Sequence, residues 1–371
     1  MAIWKIDELG EFVTLKRGYD LPQQKRKNGE IPIFSSSGVT GTHNEAMVEA
    51  PGVITGRYGT IGEVFFAETS FWPLNTTLYV ENFHENDEKF VYYFLKTLEW
   101  KKFASASAVP GINRNTVHKE IVRFPDFETQ QKIASVLSAI DKKIAVNKAI
   151  NDNLEQQAAT YFQELFINNA NPMWQISTIS DLGTVVGGST PSKTKPEYYT
   201  NNGIAWITPK DLSINKSKFI SHGENDITEL GLKNSSATVM PKGTVLFSSR
   251  APIGYIAIAS NEVTTNQGFK SVIPYLEIGT AFVYFFLKHS LPVIESAASG
   301  STFKEISGSA MKNIPAIIPD RSTLDQFNSF CAPIFAQQKI LEDQNYSLAM
   351  LRDSLLPKLM SGAIDIAGIQ L

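Results

Sequence analysis

The heptapeptide FVYYFLK at residues 90–96 returns as FVYFFLK at residues 282–288, with six of seven positions unchanged. A match this close matters if its neighbourhood repeats too, and it does. VITGRYGTIGEV (53–64) lies over VLFSSRAPIGYI (245–256) at the same offset of 192, pairing Ile61-Gly62 with Ile253-Gly254. WKIDELG (4–10) echoes WQISTISDLG (174–183), and SAVPGINRNTVHKEIVRFPD (107–126) lies over STFKEISGSAMKNIPAIIPD (301–320). The last pair is shifted by 194, and that shift carries on from residues 126–166 to 320–360. The chain is therefore two copies of one unit, each a globular part followed by a long helix-like part.

With 371 residues, 43% hydrophobic and 11% aromatic, the chain can bury two or three real cores. Its single cysteine, Cys331, excludes a disulfide framework and favours a reducing interior. The start MAIWKIDELG carries no cationic-then-apolar leader and no run of 18 apolar residues occurs, so a cytoplasmic location with no membrane contact is expected.

In the first helical part, positions 133, 137, 140, 144, 147, 151, 154, 158, 161 and 165 step by three and four. Their counterparts 194 residues on are Phe327, Cys331, Ile334, Gln338, Leu341, Asn345, Leu348, Arg352, Leu355 and Leu359. This is a heptad seam with polar interruptions. Asp126 is the expected cap of the first helix, and Thr323 with Gln326 has the form of a capping box for the second. Pro333 and Pro357 are expected to bend the second near its ends. Two matched helices pair most simply with each other, antiparallel and about a pseudo-twofold, and Asn147, Asn151, Gln338 and Asn345 on the seam then either fix the register at some cost in stability or are solvated positions. A helix of about 38 residues is roughly 57 Å long, enough to act as a ruler.

The globular parts read as α+β. Short β-branched and aromatic runs (31–34, 52–55, 203–208, 244–249) alternate with Gly, Pro, Asn and Ser, and the two heptapeptides sit in amphipathic helices whose aromatics are core. Between the early and middle matches the second copy carries 19 more residues, including KTKPEYYTNN and LSINKSKFISHGENDITEL. Similar frames presenting dissimilar loops suit a protein that reads two different targets.

These residues resemble the specificity subunits of type I restriction-modification systems over essentially the whole chain. The match is carried by the two IG turns, PGINR (110–114), PDFETQQKIASVLSAIDKKI (125–144) and SLLPKLMSGAIDI (354–366). The resemblance implies target-recognition domain 1 at 1–125, a conserved spacer helix at 126–170, target-recognition domain 2 at 171–319, and a second spacer helix with the C-terminal tail at 320–371. It implies a non-catalytic subunit that reads the two halves of a bipartite double-stranded DNA target. Its implied partners are two methyltransferase subunits that modify adenine and, through them, two nuclease/translocase subunits. S-adenosylmethionine, ATP and magnesium are then expected on those partners, with no cofactor in this chain. Inserting or deleting helical turns within 145–165 is expected to alter the gap between half-sites and not the bases read.

Charge alone does not announce a DNA binder. Residues 1–125 carry 14 Lys and Arg against 15 Asp and Glu, and residues 171–319 carry 12 against 10, so the isolated chain is expected to bind DNA weakly. Local excess does occur, in KRGYDLPQQKRK (16–27) and through SKTK, PKD and NKSK in 192–218. Donors that fit guanine or adenine edges and phosphates select Lys16, Arg17, Lys25, Arg26, Lys27, Arg57, Tyr58, Ser249 and Arg250, then Asn75, Arg114, Asn266, Gln267 and Lys304. Gly56, Gly59 and Gly254 allow close backbone approach or positive φ.

A self-contained enzyme is disfavoured. No Pro-Pro stands after an Asn or Asp to hold a target amine, no GxxxxGK[ST] loop is present, and the five histidines are scattered without HExxH or Cys partners. The remaining alternative is a pseudo-twofold protein-interaction scaffold that binds no DNA.

Overall fold

The computed structural model describes residues 3–105, 110–300 and 304–366. Residues 107–109 and 301–303 of the repeated segments, and 367–371 of the expected tail, lie outside the described residues. The chain divides into two compact units, Met1–Ala145 with Tyr346–Leu371, and Val146–Asn345. Each unit thus holds its globular part together with a portion of both long helices.

The first unit is built on a four-stranded antiparallel sheet in the order Thr14–Arg17, Thr77–Asn82, Gly52–Gly56, Val64–Ala67. A three-stranded sheet adds the hairpin Ile31–Ser35 and Gly38–His43 with Trp72–Pro73, and a ribbon pairs Trp4–Glu8 with Ile121–Pro125. The first heptapeptide falls in the helix Glu88–Lys96, which begins where Asp87 accepts from the Phe90 amide. Phe90, Val91, Tyr93, Phe94 and Leu95 are buried against the sheet, and the Phe12 ring lies 4.9 Å from that of Phe94. Ile133, Leu137, Leu359 and Met360 from the two long helices close the same core.

The second unit repeats the plan. Its main sheet runs Gly183–Gly187, Lys270–Pro274, Val245–Ser249, Ile253–Ala259, Phe219–Ile220, and its ribbon pairs Gln175–Thr178 with Pro315–Ile318. The extra residues of this copy supply the edge strand Phe219–Ile220, parallel to its neighbour, and Asn225–Ile227 in a second sheet with Ile204–Ile207. The second heptapeptide lies in Thr280–His289, buried from Ala281 to Leu287.

The long helices run Phe127–Gln163 and Arg321–Met360. Asp126 caps the first by accepting from the Thr129 amide at 3.0 Å. The second corrects the capping-box reading: Asp320 accepts from the Thr323 amide at 3.0 Å and from its hydroxyl at 2.9 Å. An aspartate one residue before the helix presents its carboxylate directly to the free amides, whereas Thr323 is already inside the first turn. The helix continues through both Pro333 and Pro357. Antiparallel pairing is visible within each unit. In the first, Arg352 donates to Asp141 at 2.7 Å. In the second, buried Asn147 donates to Asn345 at 3.0 Å, Asn151 donates to Glu342 at 3.3 Å, and Gln338 donates to the Asn151 carbonyl at 3.2 Å. These bonds across the helix pair tie the polar seam residues to one register, although the side-chain oxygens of Asn147 and Asn151 are buried without a hydrogen-bond partner among the described residues.

Candidate nucleic-acid interface

Strand pairing decides which loops meet. In the first unit Arg17 stands opposite Leu78, and Leu78 opposite Thr55. The segments leaving these three strand ends therefore emerge together. Tyr19 donates its amide to the Pro73 carbonyl at 2.8 Å, Asn75 to Tyr19 at 2.9 Å, and Arg57 to Thr76 at 2.9 Å. Residues 110–113 close the group, because Ile112 donates to the Arg57 carbonyl at 3.1 Å.

At this end Arg57 is half-buried, donates through Nε to the Ile112 carbonyl at 3.2 Å and stacks 4.5 Å from the Tyr58 ring centroid. Among the described residues it makes no ion pair. Arg17 and Arg114 are exposed, while the Asn75 amide is held by Asp20. Lys16 points along the strand and is paired with Glu81, so it is less free than its neighbour. The structure does not bring Lys25, Arg26 and Lys27 into this group. Lys27 binds His43 and Arg26 reaches the Thr40 carbonyl on the hairpin, whose turn, not its open end, approaches Gly56 and Gly59.

Gly59 and Gly254 have the positive φ expected of them (74° and 98°), and Gly62 has it too (86°), whereas Gly56 has a different reason to be glycine: a Cβ there would overlap the Thr60 carbonyl. Ala251 stands where the first unit has Gly59 and itself adopts φ 52°, a conformation that costs a non-glycine residue about 1 kcal/mol or more.

The second unit gathers the same strand ends. Gly187 pairs with Lys270, Ser249 donates its amide to Gly268 at 2.7 Å, and Ser189 donates to Thr265 at 2.9 Å. Gln267 is exposed and bonded to the Thr190 hydroxyl, Asn266 is half-buried and accepts from the Gly268 amide at 2.8 Å, and Lys304 is exposed. Ser249 requires a correction. It is fully buried in the strand, its hydroxyl facing Lys270 at 3.5 Å, so it supports the loop and does not face outward. Every residue of the strand Val245–Ser249 is buried, and Arg250, the first residue past it, stands half-buried at the rim.

Arg250 is not free either. It reaches Glu305 at 3.3 Å, and Lys270 approaches the other oxygen of that carboxylate at 3.5 Å. Glu305 and Lys270 were invisible as site residues because nothing local marks them. The available signal was the 194 offset, which sets Glu305 over Gly111, the residue against Tyr58.

The basic loop of 192–218 also reads differently in three dimensions. Lys210 pairs with Glu224 at 2.6 Å, and Lys195 meets the Tyr198 hydroxyl at 3.1 Å. Lys218 is buried, with 5% of its side chain exposed, and is enclosed by Glu155, by Gln338 at 2.5 Å, and by the Phe335 ring at 4.0 Å. Burial pushes the Lys218 amine below its ordinary value. Burial works to raise the Glu155 carboxyl, but Lys218 and Lys288 prevail and hold it down, whereas burial lifts Glu342. Lys218 is thus an anchor between an inserted loop and the helix pair, withdrawn from any phosphate. Among the described residues no group of three or more His, Cys, Asp or Glu could hold a metal ion, and no helix is long and apolar enough to cross a membrane.

Residues 1–156 and 171–343 match the family described as "Type I restriction modification DNA specificity domain". The chain is 43% identical over 162 residues to the type I restriction enzyme MjaIX specificity subunit of Methanocaldococcus jannaschii, covering 43% of this chain and 37% of that one. It is 24% identical over 347 residues to the HindI specificity subunit of Haemophilus influenzae, covering 72% and 75%. The chain spans well under half the length of the first of these relatives and three quarters of the second. The solved S subunit of a type I restriction-modification system from M. genitalium superposes with a TM-score of 0.65 at 18% identity, covering 96% of each chain, which establishes the shared fold. Two matched units on one frame, covered by one family over most of their length, lead to one conclusion: the protein belongs to the type I restriction-modification DNA specificity family.

Proposed function

We propose that the chain is the sequence reader of a type I restriction-modification complex, each unit reading one half of a bipartite DNA target through the loops at the end of its main sheet. The observation that carries this reading is the contrast between frame and content. The same three strand ends meet in both units, yet they display Arg17, Arg57, Tyr58, Asn75 and Arg114 in one, and Thr190, Arg250, Asn266, Gln267 and Lys304 in the other. Arginine, asparagine and glutamine at loop tips can take guanine or adenine edges in a major groove, while neighbouring lysines meet phosphates. With a net charge of −3, the chain leaves most phosphate neutralisation to its partners.

Those partners are two methyltransferase subunits, one for each half-site, joined by nuclease/translocase subunits. S-adenosylmethionine, ATP and magnesium belong to them, and this chain contributes recognition only. The test is sequencing of methylated bases in DNA from cells that express the chain with its methyltransferase, beside cells lacking only this chain. A two-part methylated-adenine motif present only with the chain supports the reading. Methylation independent of the chain, with the partner active, rejects it in favour of a scaffold.

A further inference from the structure

Position by position, the two loop clusters differ in a coupled way. Tyr58 of the first unit aligns with Arg250 of the second, and Gly111 aligns with Glu305. The backbone contacts are the same in each: Tyr58 bridges Gly111 as Arg250 bridges Glu305, and Ile112 donates to Arg57 as Ile306 donates to Ser249, both at 3.1 Å. Only the side chains change. The Tyr58 ring lies where a Cβ on Gly111 would sit, whereas Glu305 extends a carboxylate to Arg250 at 3.3 Å and to Lys270 at 3.5 Å. Among the described residues, Arg57 of the first unit makes no ion pair and lies beside its ring, while the second unit places one internal anion between its two cations.

We propose that Glu305 is a specificity-determining residue of the second unit. It occupies Arg250 and Lys270 in the free protein, so a duplex must displace it before either cation can engage. A phosphate offers those cations only what the carboxylate already supplies. A base edge that accepts two hydrogen bonds from the planar guanidinium offers more, so Glu305 suppresses binding to unrelated sequence and leaves the cognate half-site favoured. The inference rests on the DNA-reading function proposed above.

The test titrates the full-length chain with a labelled duplex of mixed sequence across a salt series, for wild type, Glu305→Gln, Glu305→Asp and the double variant Glu305→Gln/Arg250→Gln. Glu305→Gln preserves the shape and backbone pairing of residue 305 while removing its charge. It is expected to bind the mixed duplex about fivefold more tightly, with a salt dependence steeper by about one to two in log–log slope, as the released cations meet phosphates. Glu305→Asp should stay near wild type, and the double variant should lose most of the gain. Duplexes enriched from a random pool by Glu305→Gln should be relaxed at one half-site only. Unchanged or weaker binding by folded Glu305→Gln, or equal relaxation of both half-sites, overturns the inference. If neither folded wild type nor variant, assembled with an active methyltransferase partner, binds any duplex at the lowest salt, the DNA-reading function itself fails, and the inference with it.

Discussion

Tyr93 and Phe285 are the single difference between the two heptapeptides, and each faces a different long-helix residue. In the first unit the Tyr93 hydroxyl donates to Asp141 at 2.6 Å, and Arg352 donates to the other carboxylate oxygen at 2.7 Å. In the second unit the residues at the matching positions are Phe285, Phe335 and Ala158, all within one apolar cluster, with the two rings 6.1 Å apart. A polar triad and an apolar triad thus fill the same slot. Such positions must change together, because a buried hydroxyl or carboxylate left without its partner costs about 1–3 kcal/mol. The second unit has not lost polarity here but has moved it: Lys218 lies over the Phe335 ring and meets Glu155, which also holds Lys288 at 2.6 Å.

The most severe way to break this comparison is Glu155→Ala. It leaves Lys218 buried with Gln338 as its remaining side-chain acceptor, and should destabilise the second unit by about 3–5 kcal/mol. Hydrogen exchange resolved by residue is expected to show the loss in residues 146–345, and loss confined to the first unit would contradict the assignment. Asp141→Ala should cost the first unit about 2 kcal/mol, since Tyr93 loses its acceptor while Arg352 keeps Asp353. The triple change Tyr93→Phe, Asp141→Phe and Arg352→Ala installs the other unit's triad. It should recover most of that loss in denaturant melts, and a cost equal to the sum of the single changes would show that the slots are not equivalent.

Asp126→Ala is smaller, about 1 kcal/mol, the worth of one helix cap. Partial burial would raise the Asp126 carboxyl, but the Thr129 and Ile3 amides outweigh it and hold it below the ordinary value. Its stabilisation is therefore complete above about pH 4 and fades as pH falls through the lower value of the folded state. Wild type and Asp126→Ala melts should converge in acid, and a constant gap would refute the cap. The mildest test concerns Cys331, whose thiol burial pushes up to about 12. It should resist alkylation at neutral pH until the second unit unfolds, and rapid labelling of the native protein would contradict the packing of that core.

Much of this molecule can be read along the chain. The repeat, the buried heptapeptide helices, the long helices and the polar residues on their seam are local or periodic, so they survive in one dimension. The two IG turns and residues 110–114 are also legible as candidates, yet only strand pairing explains why Arg57 and Tyr58 meet Ile112 and Gly111 while Arg26 and Lys27 lie against the hairpin. The burial of Ser249 and Lys218 was not legible. Ser249 is the last residue of a strand buried along its whole length, and a polar residue beside a glycine- and proline-rich turn does not announce that burial. Lys218 looks like one more lysine in a polar loop until Glu155, on the first long helix, comes within reach.

What sequence alone determined here is the doubling of the unit and the identity of its repeated parts, because periodicity and self-similarity are properties of order along a chain. The tertiary structure decided which charges remain available. Arg57 keeps its charge beside a ring, and Arg250 spends it on Glu305, although both stand in matching turns. Charge pairing depends on distance in space, and the partners of these arginines lie 55 residues away along the chain.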